Sequence, residues 1–124
     1  MTTLEDLLRQ KATLARPRKV CLCGSTRFSE AYQVARLGET MAFRIVLSIG
    51  IDTKSDAELM AAGVAINKET LDLLHLFKID EADEILVLNV GGYVGESTCR
   101  EISYARMLGK RIRWLEPGTK EAQT

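Results

Sequence analysis

The sequence predicts an α/β protein built on an open parallel sheet of about four strands, order 2-1-3-4, with helices on both faces. Two observations carry this. Four short apolar runs alternate with segments of helical periodicity, and the links between them are short, with glycine-bearing turns directly after the first and third runs. The elements follow in order. From Thr3 to Leu14 the apolar positions Leu4, Leu7, Leu8 and Leu14 share one helical face, a leading amphipathic helix that Pro17 closes. Lys19 to Cys23 reads as the first strand and enters the turn Gly24-Ser25-Thr26-Arg27, after which a helix runs to about Thr40. Phe43 to Ile49 is the second strand, ended by Gly50. Ser55-Asp56-Ala57-Glu58 can begin a short helix, which Gly63 interrupts. Leu71, Leu74, Leu76, Phe77 and Ile79 indicate a longer helix from about Ala65 to Glu81. Glu84 to Asn89 is the third strand. A turn holding Gly91, Gly92 and Gly95 leads into a helix that stops near Gly109, and Arg111 to Leu115 forms the last strand. Right-handed crossovers then bring the two glycine turns to the same edge of a Rossmann-like, flavodoxin-like sheet, over one crevice.

The chain has 124 residues, enough for one domain, 1–118, followed by a polar tail, 119–124. Its 17 basic and 17 acidic side chains cancel, so no overall field draws it to polymeric nucleic acid or an anionic membrane. No apolar run approaches the length of a membrane span, and the opening Met1-Thr2-Thr3-Leu4-Glu5-Asp6 lacks the regions that export needs. Three cysteines, with Cys21 and Cys23 two apart and Cys99 distant, suit neither a disulfide framework nor a four-ligand zinc site. The expected compartment is therefore the reducing cytoplasm. Cys21 and Cys23 read as small apolar residues on one strand face.

Glu101 is the first candidate for chemistry. At helical spacing it shares a stripe with Ala105 and Leu108, so a carboxylate stands on the inward side of a helix that begins at a strand's carboxyl end, where open α/β sheets bind ligands. A structural alternative stands beside it. Thr98-x-x-Glu101 spells a capping box, in which hydroxyl and carboxylate bond helix-end amides, and the same pattern occurs at Thr2-x-x-Glu5 and Ser55-x-x-Glu58. Gly24-Ser25-Thr26-Arg27 offers backbone N–H groups, two hydroxyls and a guanidinium to a phosphate or carboxylate, or is an ordinary strand-to-helix turn with a hydroxyl cap. It has the spacing of neither a P-loop nor GxGxxG. Cys21 and Arg27 also match the cysteine-x5-arginine spacing of cysteine phosphatases. Phe28 replaces the hydroxyl expected next, however, and no Asp-Pro supplies a leaving-group acid. His75, the one histidine, lies on the helix that should approach the crevice, although a lone helix histidine is more often a surface or core residue than a catalyst, whereas Asp80 and Asp83 read as structural residues at the far end of the sheet. Tyr93 and Glu96 sit in the glycine turn, where exposed residues commonly select ligands, or are simply part of a solvated loop.

Two segments together resemble the nucleoside 2-deoxyribosyltransferase-like superfamily, which also contains nucleoside monophosphate N-glycosidases. Val20-Cys21-Leu22-Cys23-Gly24-Ser25-Thr26-Arg27 is similar to its "CGS-x-R" opening, and Ile79 through Gly95, Glu101, Ala105 and Gly109-Lys110 to its helix, strand, glycine turn, "E-x-G-x-A" and "GK" signature. The resemblance spans roughly residues 19 to 115. It implies hydrolysis or transfer at the N-glycosidic bond of a nucleoside or nucleoside 5′-monophosphate, with Glu101 as nucleophile and no metal or cofactor. It also implies that Gly24, Ser25, Thr26, Arg27, Gly95 and Ser97 hold the sugar and phosphate, and that the protein is a homodimer or larger. The sequence departs from the family at three places. His75 stands where an aspartate usually protonates the leaving base, Ser103 replaces the glycine of "E-x-G-x-A" and should narrow the crevice, and Glu96 would repel a phosphate unless Arg27 or Arg100 offsets it. A nucleotide-binding or signalling module that keeps the crevice without turnover is the competing expectation.

Overall fold

The structure, a computed structural model, describes residues 1–50, 56–63 and 67–117. The polar tail expected at 119–124, Ser55 and the expected helix start at Ala65 lie outside those residues. Ten short elements follow one another: α1 (Leu4–Thr13), β1 (Lys19–Cys23), α2 (Ser29–Met41), β2 (Ile45–Leu47), α3 (Asp56–Ala61), α4 (Lys68–Glu81), β3 (Glu84–Val87), a 3-10 turn (Val90–Gly92), α5 (Glu96–Met107) and β4 (Arg111–Trp114). The sheet is parallel throughout, in the order β2-β1-β3-β4, as the alternation predicts. Among the described residues, no helix is long and apolar enough to cross a membrane.

β1 and β3 are central, and that position explains their composition. A strand covered on both faces has no polar side, and Val20 to Cys23 and Ile85 to Leu88 are all buried. Alternation divides them between two cores. Cys21, Cys23, Ile85 and Val87 pack under α4 and α5 against Ile79, Ile102 and Ala105. Val20, Leu22, Leu86 and Leu88 pack under α2 against Tyr32 and Ala35. At the sheet's amino edge Arg113 of β4 joins Glu39 of α2 to the buried Glu84 of β3, with Arg113 Nε 3.3 Å from Glu84 Oε2.

Three local expectations shift. The capping box of α1 is one residue later than expected: Asp6 N–H donates to Thr3 Oγ1 and Thr3 N–H to Asp6 Oδ2, both at 3.1 Å. The leucine face of α1 forms as expected but is exposed, and the helix buries no residue. β2 is shorter than 43–49 because Phe43 takes a left-handed backbone (φ 65) and the Ser48 carbonyl accepts from Lys78 Nζ at 2.5 Å. α4 begins at Lys68, where Asn67 Oδ1 caps Thr70 N–H at 3.1 Å. Asp83 and Asp80 are structural, as expected: Asp83 Oδ2 accepts from Lys19 N–H, and Asp80 Oδ1 from the Tyr104 hydroxyl.

Candidate functional site

The carboxyl ends of β1 and β3, adjacent in the sheet, release the two glycine turns side by side. Gly24 must stay small there, since a Cβ would lie 3.0 Å from Leu88 Cβ and 3.3 Å from the Leu88 carbonyl, and the Tyr32 hydroxyl donates to the Gly24 carbonyl at 2.7 Å. Beyond β3, Gly91 and Gly92 take positive φ (62 and 81), which turns the chain back toward α5. Between these turns and α4 lies an open cavity of about 400 Å³. Gly24, Ser25, Thr26 and Arg27 line one side. Gly95 and Ser97 line another, and Glu101 and His75 also face the cavity, so all eight candidate residues meet in one place.

Gly95, not Thr98, is the N-cap of α5, and it supplies no side-chain cap. Thr98 is thus the third residue of the helix and Glu101 the sixth, too far along to reach the helix-end amides. The capping-box reading of Glu101 fails on this geometry. Glu101 is instead 8% exposed on the inward side of α5, with Thr98, Ile102 and Ala105. Leu108 does not continue that stripe and is 42% exposed. The uncapped first turn of α5 presents amides and the positive end of its dipole where Ser97 and Thr98 line the cavity.

Glu101 Oε1 lies 3.8 Å from His75 Nε2, and the same nitrogen lies 3.4 Å from Cys23 Sγ and 3.6 Å from Cys21 Sγ. Burial pushes the Glu101 carboxyl from 4.5 up to about 7, against the pull of His75. Burial lowers the imidazole, but the Cys21 thiol and the Glu101 charge more than reverse this, and His75 is raised. Cys21 is lowered, chiefly by a hydrogen bond with Cys23, and Cys23 is raised by the same bond together with burial and the neighbouring charges of Cys21 and Glu101. Cys21 itself is fully buried within β1.

At the rim, the Arg27 guanidinium sits 4.5 Å from the centre of the Tyr93 ring, and Phe28 meets Tyr93 edge-on at 5.9 Å. Glu96 does not confront the cradle unopposed, because Arg100 Nη1 lies 3.4 Å from Glu96 Oε1 and Nη2 donates to Ser97 Oγ at 3.2 Å. Ser103 is exposed on the outer side of α5 and away from the cavity, so it does not narrow the crevice.

Sequence reasoning missed Lys68 and Asp72, which also line the cavity. The signal was present in the spacing: 68, 72 and 75 make one polar stripe on α4. It also missed that Cys21 and Cys23 face His75, which no local spacing reveals. No family model, curated protein or solved structure matches this chain.

Proposed function

We propose that the protein cleaves the N-glycosidic bond of a nucleoside or nucleoside 5′-monophosphate, by hydrolysis or by transfer, with Glu101 as nucleophile. The observation that carries this reading is the Glu101 carboxyl itself: inward on α5, free of any capping duty, and beside His75 in the cavity that the Arg27 turn borders. A folded protein keeps a largely buried carboxyl at a cavity wall at a cost in stability, which function can offset. The resemblance to deoxyribosyltransferase-like enzymes, carried by the residues around Gly24 and Glu101, points the same way.

In this reading the Glu101 carboxylate attacks the anomeric carbon as the carbon–nitrogen bond breaks. The bonding pair leaves with the base, which takes a proton from His75. Water or an acceptor base then displaces Glu101 from the sugar, the two-step logic of retaining glycosidases. Arg27, Ser25 and Ser97 with the first-turn amides of α5 hold the phosphate, and Tyr93 and Phe28 offer aromatic surface to the base. The test is incubation with a panel of nucleosides and 5′-monophosphates, with free base read by chromatography. Base release that Glu101→Gln abolishes while ligand binding persists is the expected result. Release from no panel member, or undiminished release by Glu101→Gln, would overturn the reading, and binding without turnover would leave the nucleotide-binding module in its place.

A further inference from the structure

We propose that Cys21, Cys23 and His75 form a binding site for a thiophilic divalent cation of the zinc class. The inference stands on the cluster and does not depend on the reaction proposed above. Ligand atoms of Cys21, Cys23 and His75 all lie within 4.8 Å of one another, and all three residues are buried. A tetrahedral ion with sulfur at about 2.3 Å and nitrogen at about 2.0–2.1 Å sets a sulfur-to-nitrogen edge of about 3.5 Å. The observed edges from His75 Nε2 are 3.4 Å to Cys23 Sγ and 3.6 Å to Cys21 Sγ. Three protein donors leave the fourth corner of the tetrahedron to solvent, and Glu101 Oε1 lies 3.8 Å from the same nitrogen.

The donor set selects the ion. Two sulfurs and an imidazole suit zinc and its neighbours and repel magnesium and calcium, which require oxygen ligands. Binding needs no redox partner, since the ion displaces the protons of the two thiols to solvent and is held by the resulting thiolates. His75 Nδ1 is buried without a hydrogen-bond partner among the described residues, so the ring is anchored only by its Nε2 edge, through sulfur contacts longer than ordinary nitrogen-to-oxygen bonds. A cation on Nε2 would fix that ring. Both cysteines come from β1 and the histidine from α4, so the site exists only once strand and helix have assembled.

A functional consequence follows for the proposed reaction. An ion bound through His75 takes the imidazole away from its proposed role as proton donor to the leaving base. Metal loading and base release are therefore mutually exclusive states of one cluster.

The test uses the full chain without an affinity tag, stripped with chelator and titrated with Co²⁺ as a spectroscopic stand-in for zinc. Thiolate-to-cobalt charge-transfer bands in the near ultraviolet and intense tetrahedral bands in the visible, saturating at one ion per chain and bleached by Zn²⁺, are expected. Cys21→Ser and Cys23→Ser each weaken the charge-transfer bands, whereas Cys99→Ser leaves them unchanged. Only weak octahedral bands in the wild-type chain, or tetrahedral bands that survive Cys21→Ser with Cys23→Ser, would overturn the proposal. The wild-type titration decides even if the double variant fails to fold, and it needs no substrate, so its failure is separable from failure of the glycosidase reading.

Discussion

Replacing Glu101 by glutamine should make the protein more stable, and only in one range of pH. In the folded chain, burial holds the Glu101 carboxyl at about 7, against 4.5 for the free side chain. The folded state thus binds more protons than the unfolded state between those values, and stability falls as pH rises through them. At about 1.4 kcal/mol per pKa unit, the ionised carboxylate costs the fold about 3 kcal/mol above pH 7. His75 acts in the same direction, because its raised pKa gives stability that is present below 6.5 and lost as pH rises through the folded value. Part of that rise comes from the Glu101 charge, so the variant weakens this dependence too. Urea unfolding of both proteins in chelator, across the acid-to-neutral range, measures the effect. Below pH 4.5 the two should agree within about 1 kcal/mol, and above pH 7 the variant should lead by up to about 3 kcal/mol. A variant less stable than wild type at neutral pH, or a difference that does not change with pH, refutes the reasoning. A capping glutamate would give the first of these results.

Other consequences can be checked alongside. Arg27→Ala should raise KM for a 5′-monophosphate about 10- to 100-fold, the worth of a charge-assisted hydrogen bond, and affect the matching nucleoside much less; equal effects on both would remove Arg27 from phosphate binding. Gly24→Ala pushes a methyl group against Leu88 and should cost about 1–3 kcal/mol, read as a lowered thermal midpoint, with weaker ligand binding as the turn shifts. Arg113→Ala leaves the Glu84 carboxylate, which is 2% exposed, to the longer contact with Arg111 at 3.8 Å, and should cost about 3 kcal/mol by urea unfolding, partly relieved by adding Glu84→Gln.

The fold was legible because parallel sheets write themselves plainly. Central strands such as Val20 to Cys23 are covered on both faces and so run apolar along their length, and their glycine turns mark where the chain reverses. Edge strand β2 was overextended because its pairing ends where Phe43 and Ser48 find other arrangements, a tertiary outcome that side-chain pattern does not encode. For the site, the turn at Gly24 and the inward face of α5 were readable from spacing. The capping question was not, because the helix start at Gly95 depends on how the preceding glycines fold. The cysteines were read as packing residues because their partner, His75, comes from a segment more than fifty positions away and meets them only through the crossover.

The order β2-β1-β3-β4 has a consequence for how the cavity can change. Its inner wall is carried by α4 and α5, which pack on the two middle strands, whose amides should exchange with deuterium last, while Arg27 and Tyr93 stand on exposed turns. Substitutions at the rim therefore leave the fold nearly untouched, whereas those at the wall, as at Glu101, register in its stability.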